Sequence, residues 1–263
     1  MHVQWISAAR LLRTVVLLGA GLGWQAPAVA QGDFKPAGET VDYRVGNETF
    51  SGYFSPAAGM ARGTVLVIHD WDGIDDYERK RADMVSKMGF DAFAVDIYGK
   101  GNRPQETGAK KAETQRLYQD RERMRRLALA GLDVAREQGA ERETVVMGYC
   151  FGGAVVLEMA RNGLGDSIRG FATFHGTLAT PDDQEWSDPG VPILVTHGGA
   201  DTAIPMTDVT TLSRDLESVG ASYEIEIYSG APHAFTVFGT PRYQKRADEK
   251  SWDAFTDLLD TAL

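Results

Sequence analysis

Cysteine is almost absent from this sequence of 263 residues, in which Cys150 is the single one. One cysteine cannot form a disulfide within a chain, so a disulfide-stabilised fold is excluded. Clustered Cys/His spacings and the H-x-x-x-H pattern are also missing, so we predict no metal site. In an oxidising compartment, a lone thiol is either buried and inert or retained for chemistry.

Positive charge is scarce as well. The chain has 27 lysines and arginines against 37 acidic residues, which gives a net charge of −10. The first 30 residues carry two arginines and no acidic residue, so the chain without them is more negative still. A chain this acidic is not expected to bind nucleic acid or an anionic membrane surface.

A long hydrophobic run is lacking too. The apolar stretch at residues 15–24 is too short to cross a membrane comfortably. It follows Arg10 and Arg13 and precedes an Ala-Val-Ala site that ends at Ala30. This arrangement predicts a Sec-type signal peptide, residues 1–30, that is removed after Ala30.

Export therefore predicts a periplasmic or secreted protein without stable membrane insertion; an uncleaved anchor is the alternative. The two arginines are not adjacent, which argues against a twin-arginine signal, and no cysteine at the cleavage site offers a lipid anchor. Residues 31–40 are polar with Pro and Gly and are expected to form a loose leader.

Internal repeats, low-complexity tracts and domain linkers are absent, which predicts one domain over residues 41–263. Short apolar runs alternate with helical periodicity, as in βαβ units. The predicted fold is α/β: a mostly parallel twisted sheet with helices on both faces, preceded by a β-hairpin that turns at Gly46-Asn47. A long charged helical stretch, residues 109–138, is expected to break into two helices near Asp120.

One stretch organises the chain, residues 144–153 (T-V-V-M-G-Y-C-F-G-G). A β-branched run ends at Gly148, and Gly152 and Gly153 open a predicted helix. Glycines on both sides of Cys150 allow a strand and a helix to approach closely around a nucleophile on a sharp turn. The alternative is that Cys150 is a small buried hydrophobic residue.

Two further residues complete a catalytic arrangement. Asp201 and His233 follow predicted strands in the order nucleophile, acid, base, which is the order in α/β-hydrolases. His233 would take the thiol proton, and Asp201 would fix the imidazole tautomer. Alternatively, Asp201 caps the helix that begins near Pro205.

The oxyanion that forms during acyl transfer needs backbone donors. We expect them to be the N–H groups of Phe151, next to the nucleophile, and Trp71, in the loop after the first buried strand. Aromatic side chains in these loops could also form an apolar wall for the substrate. The alternative is that they are ordinary core residues. The candidates are Trp71, Tyr98, Phe151 and Phe235. The remaining histidines of the domain are expected to shape the cleft through hydrogen bonds; they are His69, His175 and His197.

The sequence G-Y-C-F-G-G around Cys150 resembles the nucleophile elbow of the dienelactone hydrolase family, a cysteine branch of the α/β-hydrolases. The motifs H-D-W-D-G-I, D-I-Y-G-K-G, F-H-G, T-H-G-G-A-D and H-A-F are similar to that family's strand ends, in its order. The resemblance implies cofactor-free hydrolysis of carboxylic esters or lactones through a thioester acyl-enzyme. It maps the nucleophile to Cys150, the acid to Asp201 and the base to His233.

The family also places an acidic residue at the position of Asp70, where it helps to activate the thiol. Members that act on dienelactone have an arginine soon after the histidine, whereas here H-A-F is followed by Thr236. An uncharged ester or lactone is therefore the expected substrate, bound by a monomer or, alternatively, a dimer. Two other classes of function stay open: a non-catalytic binding protein on this fold, and a thiol-based redox protein that uses Cys150.

Overall fold

Strands and helices alternate along the chain in the structure, a computed structural model that describes residues 34–163 and 165–263. The predicted signal peptide lies outside the described residues. The elements within them are, in chain order, β1 (Glu39–Val45), β2 (Glu48–Ser55), β3 (Thr64–Ile68), α1 (Asp76–Lys87), β4 (Asp91–Val95), α2 (Thr107–Gln119), α3 (Arg121–Glu137), β5 (Thr144–Tyr149), α4 (Phe151–Arg161), β6 (Ile168–Phe174), β7 (Ile193–Gly198), α5 (Met206–Val219), β8 (Tyr223–Tyr228) and α6 (Lys245–Ala262).

The strands form one eight-stranded sheet in the order β1-β2-β4-β3-β5-β6-β7-β8. All pairings from β4 to β8 are parallel, while β1 pairs with β2, and β2 with β4, in the antiparallel sense. The predicted hairpin is confirmed, since Val45 pairs with Glu48 across Gly46-Asn47. The predicted mostly parallel α/β fold is confirmed as well.

Side-chain alternation on the buried strands divides the core into two layers. On β3, Leu66 and Ile68 pack into the layer that also holds residues of α2, α3, α4 and α5. Val65 and Val67 point to the opposite layer, with residues of α1 and α6. Both faces of the central strands are thus covered by helices, which explains their continuous apolar sequences. Among the described residues, no helix is both long and apolar enough to cross a membrane.

Local sequence features explain several element boundaries. The long charged stretch breaks at Asp120, whose side chain accepts a hydrogen bond from the Arg123 N–H at the start of α3. Helix α1 begins with a capping box formed by Asp75 and Glu78. Strand β1 begins at Glu39, so the hairpin includes two residues that the sequence had placed in the leader.

The carboxyl ends of parallel strands lie at one edge of the sheet. Four of the loops that leave this edge carry the predicted site residues: Trp71 after β3, Cys150 after β5, Asp201 after β7 and His233 after β8. The topology therefore brings together residues that are up to 162 positions apart in the sequence.

Candidate active site

Cys150 occupies a strained turn between β5 and α4. Its φ of 50° and ψ of −111° are unusual for a residue with a side chain. The backbone holds this conformation through the Cys150 N–H, which donates to the Phe174 carbonyl at 3.0 Å. The sulfur is thereby presented at the strand edge, as expected of a nucleophile elbow.

The elbow glycines are required by close backbone approach. A Cβ on Gly148 would lie 2.4 Å from the carbonyl carbon of Gly152, and one on Gly152 would lie 2.3 Å from the Ile68 oxygen. A Cβ on Gly153 would meet the Thr173 hydroxyl at 2.3 Å. Any side chain at these positions would push α4 away from β3, β5 or β6 and displace Cys150.

The three predicted triad residues meet at this edge. His233 Nε2 lies 3.2 Å from the Cys150 sulfur, and His233 Nδ1 lies 2.8 Å from Asp201 Oδ2. The other Asp201 oxygen accepts the N–H groups of Ala203 and Ile204 at 2.8 and 2.9 Å. Asp201 therefore orients the imidazole and shapes its own loop, but it does not cap α5, whose N-cap is Pro205.

The protonation states follow from this geometry. Burial alone would raise the pKa of Asp201, but the hydrogen bonds from His233 and the Ile204 N–H outweigh burial and hold that pKa below its ordinary value. An ionised Asp201 accepts a hydrogen bond from Nδ1–H, which leaves Nε2 as an acceptor facing Cys150. Burial, and then the negative charge of Asp70, raise the pKa of the Cys150 thiol to about 12. The resting sulfur is thus a neutral thiol with an acceptor nitrogen beside it.

The two residues expected to supply oxyanion donors, Phe151 and Trp71, are connected through Tyr98. The Phe151 N–H hydrogen-bonds the Cys150 sulfur and acts to lower its pKa, so this donor faces the reacting atom. The Trp71 carbonyl accepts a hydrogen bond from the Tyr98 hydroxyl at 3.2 Å. The Tyr98 ring in turn stacks on Phe151 with centroids 6.0 Å apart. Trp71 is therefore tied to the wall that Phe151 forms.

Asp70 belongs to an acidic cluster rather than to a pair with the thiol. Its side chain accepts the Asp72 N–H at 3.0 Å, and its own N–H donates to Glu78 at 3.3 Å. Burial, followed by the hydrogen bond to Asp72 and the charge of Glu78, raises the pKa of Asp70 well above its ordinary value. Among the described residues there is no hydrogen bond between Asp70 and Cys150. The structure therefore provides no direct contact through which Asp70 would activate the thiol.

The other three histidines differ in their surroundings. His69 Nδ1 donates to the Asp70 carbonyl at 2.6 Å, while Nε2 accepts the Ile97 N–H, as expected of a residue that shapes the cleft. His175 lies edge-on to His233 at 5.2 Å and hydrogen-bonds Thr236. His197 departs from this pattern: neither ring nitrogen makes a direct hydrogen bond among the described residues, but the lowering of its pKa by burial is opposed by an interaction with the Ile204 backbone.

A buried hydrogen-bond network behind His233 was not predicted from the sequence. The Thr236 hydroxyl lies 2.7 Å from His175 Nε2 and 2.6 Å from the Tyr77 hydroxyl. Arg81 donates to the Thr236 carbonyl at 2.9 Å and forms a buried ion pair with Asp248. These partners come from α1, the loop after β6, and α6, so no local pattern identifies them. The network fixes the loop that carries His233.

The aromatic wall is smaller than expected. Phe235 is fully buried and packs edge-on against His175 and Tyr228, which makes it a core residue. Tyr98 and Phe151 are also nearly inaccessible, while Trp71 is half-buried. Core packing, the alternative for these residues, therefore holds for Phe235.

No group of three potential metal ligands occurs among residues 34–163 and 165–263.

This sheet, its strand-edge elbow and the order of the residues that meet there define an α/β-hydrolase. The family model of the dienelactone hydrolase family matches residues 50–263. The chain belongs to that family, as the motifs around Cys150 had indicated. It is a hydrolase of the class that cleaves carboxylic esters and lactones.

Known relatives are distant but cover most of the chain. A probable 2-oxo-3-(5-oxofuran-2-ylidene)propanoate lactonase of Bradyrhizobium sp. is 25% identical over 81% of this chain and 90% of its own. A putative carboxymethylenebutenolidase of Synechocystis sp. is 27% identical over 82% of this chain and 94% of its own. A solved structure from metagenomic libraries, of a dienelactone hydrolase-like promiscuous phosphotriesterase, has a TM-score of 0.76 at 27% identity. That match covers 86% of this chain and 98% of the other.

Proposed function

We propose that this protein hydrolyses esters or lactones through a thioester on Cys150. The contacts from the Cys150 sulfur to His233 and on to Asp201, at 3.2 and 2.8 Å, carry the proposal. The sulfur attacks the carbonyl carbon while His233 Nε2 removes its proton. The N–H groups of Phe151 and Trp71 stabilise the oxyanion. Collapse of the tetrahedral intermediate expels the alkoxide, which takes the proton from His233.

Deacylation reverses the roles. His233 deprotonates a water molecule, which attacks the thioester carbonyl, and the Cys150 sulfur leaves with the proton that His233 returns. The products are a carboxylic acid and an alcohol, or one hydroxy acid when the substrate is a lactone. Asp201 stabilises the imidazolium in both halves of the cycle.

The neutral thiol sets the order of events. Because the pKa of Cys150 is about 12, the resting enzyme holds little thiolate at neutral pH. Proton transfer to His233 is therefore coupled to attack on the substrate rather than completed beforehand. A thiol kept neutral in this way is also a poor target for peroxide, which weighs against the redox alternative.

The reacting end of the substrate is proposed to be uncharged. In the loop after His233, Thr236 is held inside the protein by Tyr77 and His175 and offers no cation to a ligand. The relatives named above as a lactonase and a carboxymethylenebutenolidase support a lactone or enol ester as the substrate class.

A substrate panel with a nucleophile variant tests this function. Acyl esters, five- and six-membered lactones and one phosphotriester are assayed with the wild type and Cys150→Ala; the phosphotriester is included because of the 27%-identical solved structure. We expect turnover of esters or lactones and a loss of several orders of magnitude in the variant. Full turnover by Cys150→Ala would refute the mechanism. Saturable binding without turnover would favour the binding protein, and peroxide consumption without ester cleavage the redox protein.

We also propose export by a Sec-type signal peptide and cleavage after Ala30, on the basis of Arg10, Arg13 and the Ala-Val-Ala site. The full-length chain is expressed in a Gram-negative host, and the periplasmic fraction is analysed by intact mass and size exclusion. A periplasmic monomer that begins at Gln31 is expected. Retention of Met1 in a membrane fraction would identify an uncleaved anchor, and a doubled mass a dimer.

A further inference from the structure

A cavity of about 310 Å³ lies beside the nucleophile elbow, between α4, the junction of α2 and α3, and the loop that follows β6. We call it the Arg161 cavity. Its lining includes Tyr118, Arg121, Ala154, Arg161, Thr177 and Thr180. This volume suits a small polar group rather than a whole extended substrate.

The cavity lies next to the active site and extends along α4, from Ala154 to Arg161. Ala154 lies about one helical turn after Cys150 on α4. Tyr118 packs edge-on against Phe151, the oxyanion residue, with ring centroids 5.3 Å apart. Arg161 ends α4, roughly 16 Å from Cys150 along the helix axis at about 1.5 Å per residue. A ligand group at Arg161 would thus be remote from the reacting carbonyl.

The lining of this cavity carries positive charge, because it includes both Arg121 and Arg161. The fully buried Glu158 carboxylate is shared by three arginines: Arg121 at 3.0 Å, Arg161 at 3.1 Å and Arg125 at 2.5 Å. One carboxylate cannot balance three guanidinium groups. Other acids lie nearby: Asp215 accepts the Thr180 hydroxyl at 2.8 Å, and Asp182 and Asp183 line the neighbouring cavity, which shares Arg121. None of the cavity's lining residues, all within the described part of the chain, is acidic.

Arg161 itself is incompletely satisfied. Its side chain is 3% exposed, so water does not solvate it freely. Nη2 donates to Glu158 and Nε donates to Gln184 at 3.0 Å, but the buried Nη1 has no hydrogen-bond partner. Buried guanidinium N–H groups are normally paired, and an unpaired one marks a site that lacks a ligand or a partner.

We propose that the Arg161 cavity binds a small oxyanion of the carboxylate or phosphate type. The two guanidinium groups can donate to the oxygens of such an anion, and the hydroxyls of Tyr118 and Thr177 lie in the same lining. The anion is either the distal carboxylate of an extended ester substrate or a separate small anion. The first of these sources rests on the proposed function; binding itself does not.

Anion binding is measured directly by thermal unfolding. Tm is followed while sodium phosphate or sodium succinate is added, with sodium chloride at equal ionic strength as the reference. A ligand that binds the folded state raises Tm in a saturable manner. We expect such a rise with phosphate or succinate and none with chloride, in the wild type and in Cys150→Ala alike.

Two arginine variants make the test specific. Arg121 and Arg125 both pair with Glu158 and are equally exposed, at 23%, but only Arg121 lines the cavity. We expect Arg121→Gln to weaken the apparent Kd about tenfold or more, since it removes a charge-assisted contact. Arg125→Gln should leave Kd within about twofold. Absence of a saturable Tm rise in the wild type, an equal rise with chloride, or equal weakening in the two variants would overturn the proposal.

The source of the anion is identified with matched substrates. A para-nitrophenyl monoester of suberic acid is compared with its methyl diester, which has the same chain without the charge. A higher kcat/KM for the acid, lost in Arg121→Gln and kept in Arg125→Gln, identifies a distal substrate carboxylate. Equal kcat/KM values together with retained phosphate binding identify a separate small anion. If no ester is cleaved at all, the proposed function fails while the Tm measurement still decides whether the cavity binds anions.

Discussion

Cys150 and His233 face each other as a neutral thiol and an acceptor nitrogen, 3.2 Å apart. Enzymes that keep a standing thiolate–imidazolium pair lower the pKa of the sulfur with positive surroundings. Here burial, and then the charges of Asp70 and Asp72, act in the opposite direction. The surroundings of Cys150 therefore predict how its thiol responds to pH.

Alkylation of Cys150 by iodoacetamide should accelerate steadily with pH. The folded pKa of about 12 lies above the ordinary value, so the thiolate fraction keeps growing across the accessible range. We expect the rate constant to rise about tenfold per pH unit from about pH 7 to about pH 10. The denatured protein serves as the control, with half-maximal reactivity at about pH 8.5. A plateau below about pH 8 in the folded enzyme would show a standing thiolate instead.

Asp201→Asn should lower kcat by roughly 10⁴-fold without loss of structure. Its Oδ1 atom would still accept the Ala203 and Ile204 N–H groups, so its amide would face His233 Nδ1. That contact moves the imidazole proton to Nε2, which then cannot accept the thiol proton.

Asp208→Asn is the matched control for this charge change, since Asp208 lies in the first turn of α5 and is not among the hydrogen-bond partners of His233. Its kcat should stay within about twofold of the wild type, with circular dichroism unchanged for both variants. Similar losses in the two variants would show that Asp201 acts through its net charge rather than through the tautomer.

At the scale of elements, the elbow depends on how closely α4 approaches β3. Gly152 is in van der Waals contact with the backbone of Ile68 and His69, where a Cβ would come within 2.3 and 2.6 Å of their oxygens. Backbone atoms of a central strand cannot give way as a flexible side chain does. The close approach of α4 to β3 therefore predicts that replacing a helix glycine affects stability very differently at Gly152 than at an open position.

Gly152→Ala should destabilise the fold by about 2–3 kcal/mol, as overpacking of a rigid core does. Gly108→Ala is the contrasting variant, because Gly108 lies in α2 with nothing near the position of a Cβ. It should stabilise the protein by about 0.5–1 kcal/mol through helix propensity. Urea unfolding measures both changes. Equal stability of the Gly152 variant and the wild type would mean that α4 shifts at little cost.

Several elements were predictable from local sequence, and the reasons are local as well. The break at Asp120 combines a capping side chain with a change in charge pattern, and the hairpin at Gly46-Asn47 is a short-range turn. Element ends were less certain by one or two residues: β1 begins at Glu39, inside the stretch 31–40 that was predicted to be a leader. Terminal residues depend on backbone pairing with neighbouring elements, which a single segment does not encode.

At the scale of the whole molecule, long-range contacts decide what sequence patterns miss. The order Cys150, Asp201, His233 predicted a site because parallel strands end at one edge. The hydrogen bonds of Thr236 to Tyr77 and His175 join residues 159 and 61 positions apart. The sharing of Glu158 by three arginines likewise joins separate helices. No spacing of residues in the sequence predicts either of these two clusters.

Acid stability is a property of the whole molecule that His69 should control. Its burial, opposed by the hydrogen bond to the Asp70 carbonyl, lowers its pKa from 6.5 to about 4. The folded state therefore binds fewer protons than the unfolded state. The stability contribution of His69 is full above the unfolded pKa and is lost as pH falls towards about 4, amounting to about 3 kcal/mol.

His69→Asn keeps a donor near Nδ1 but cannot be protonated. Between about pH 7.5 and about pH 4, its free energy of unfolding should fall by about 3 kcal/mol less than that of the wild type. Chemical denaturation at a series of pH values gives both curves. Parallel curves would show that His69 is protonated without cost in the folded protein.

The account as a whole requires an acyl group on one sulfur. The most direct measurement is intact mass spectrometry of the enzyme after mixing with para-nitrophenyl acetate and rapid acid quenching, followed by peptide mapping. We predict a mass increase of one acetyl group on Cys150 in the wild type and none in Cys150→Ala. Turnover without any adduct on Cys150, or an adduct that persists in Cys150→Ala, would contradict the account.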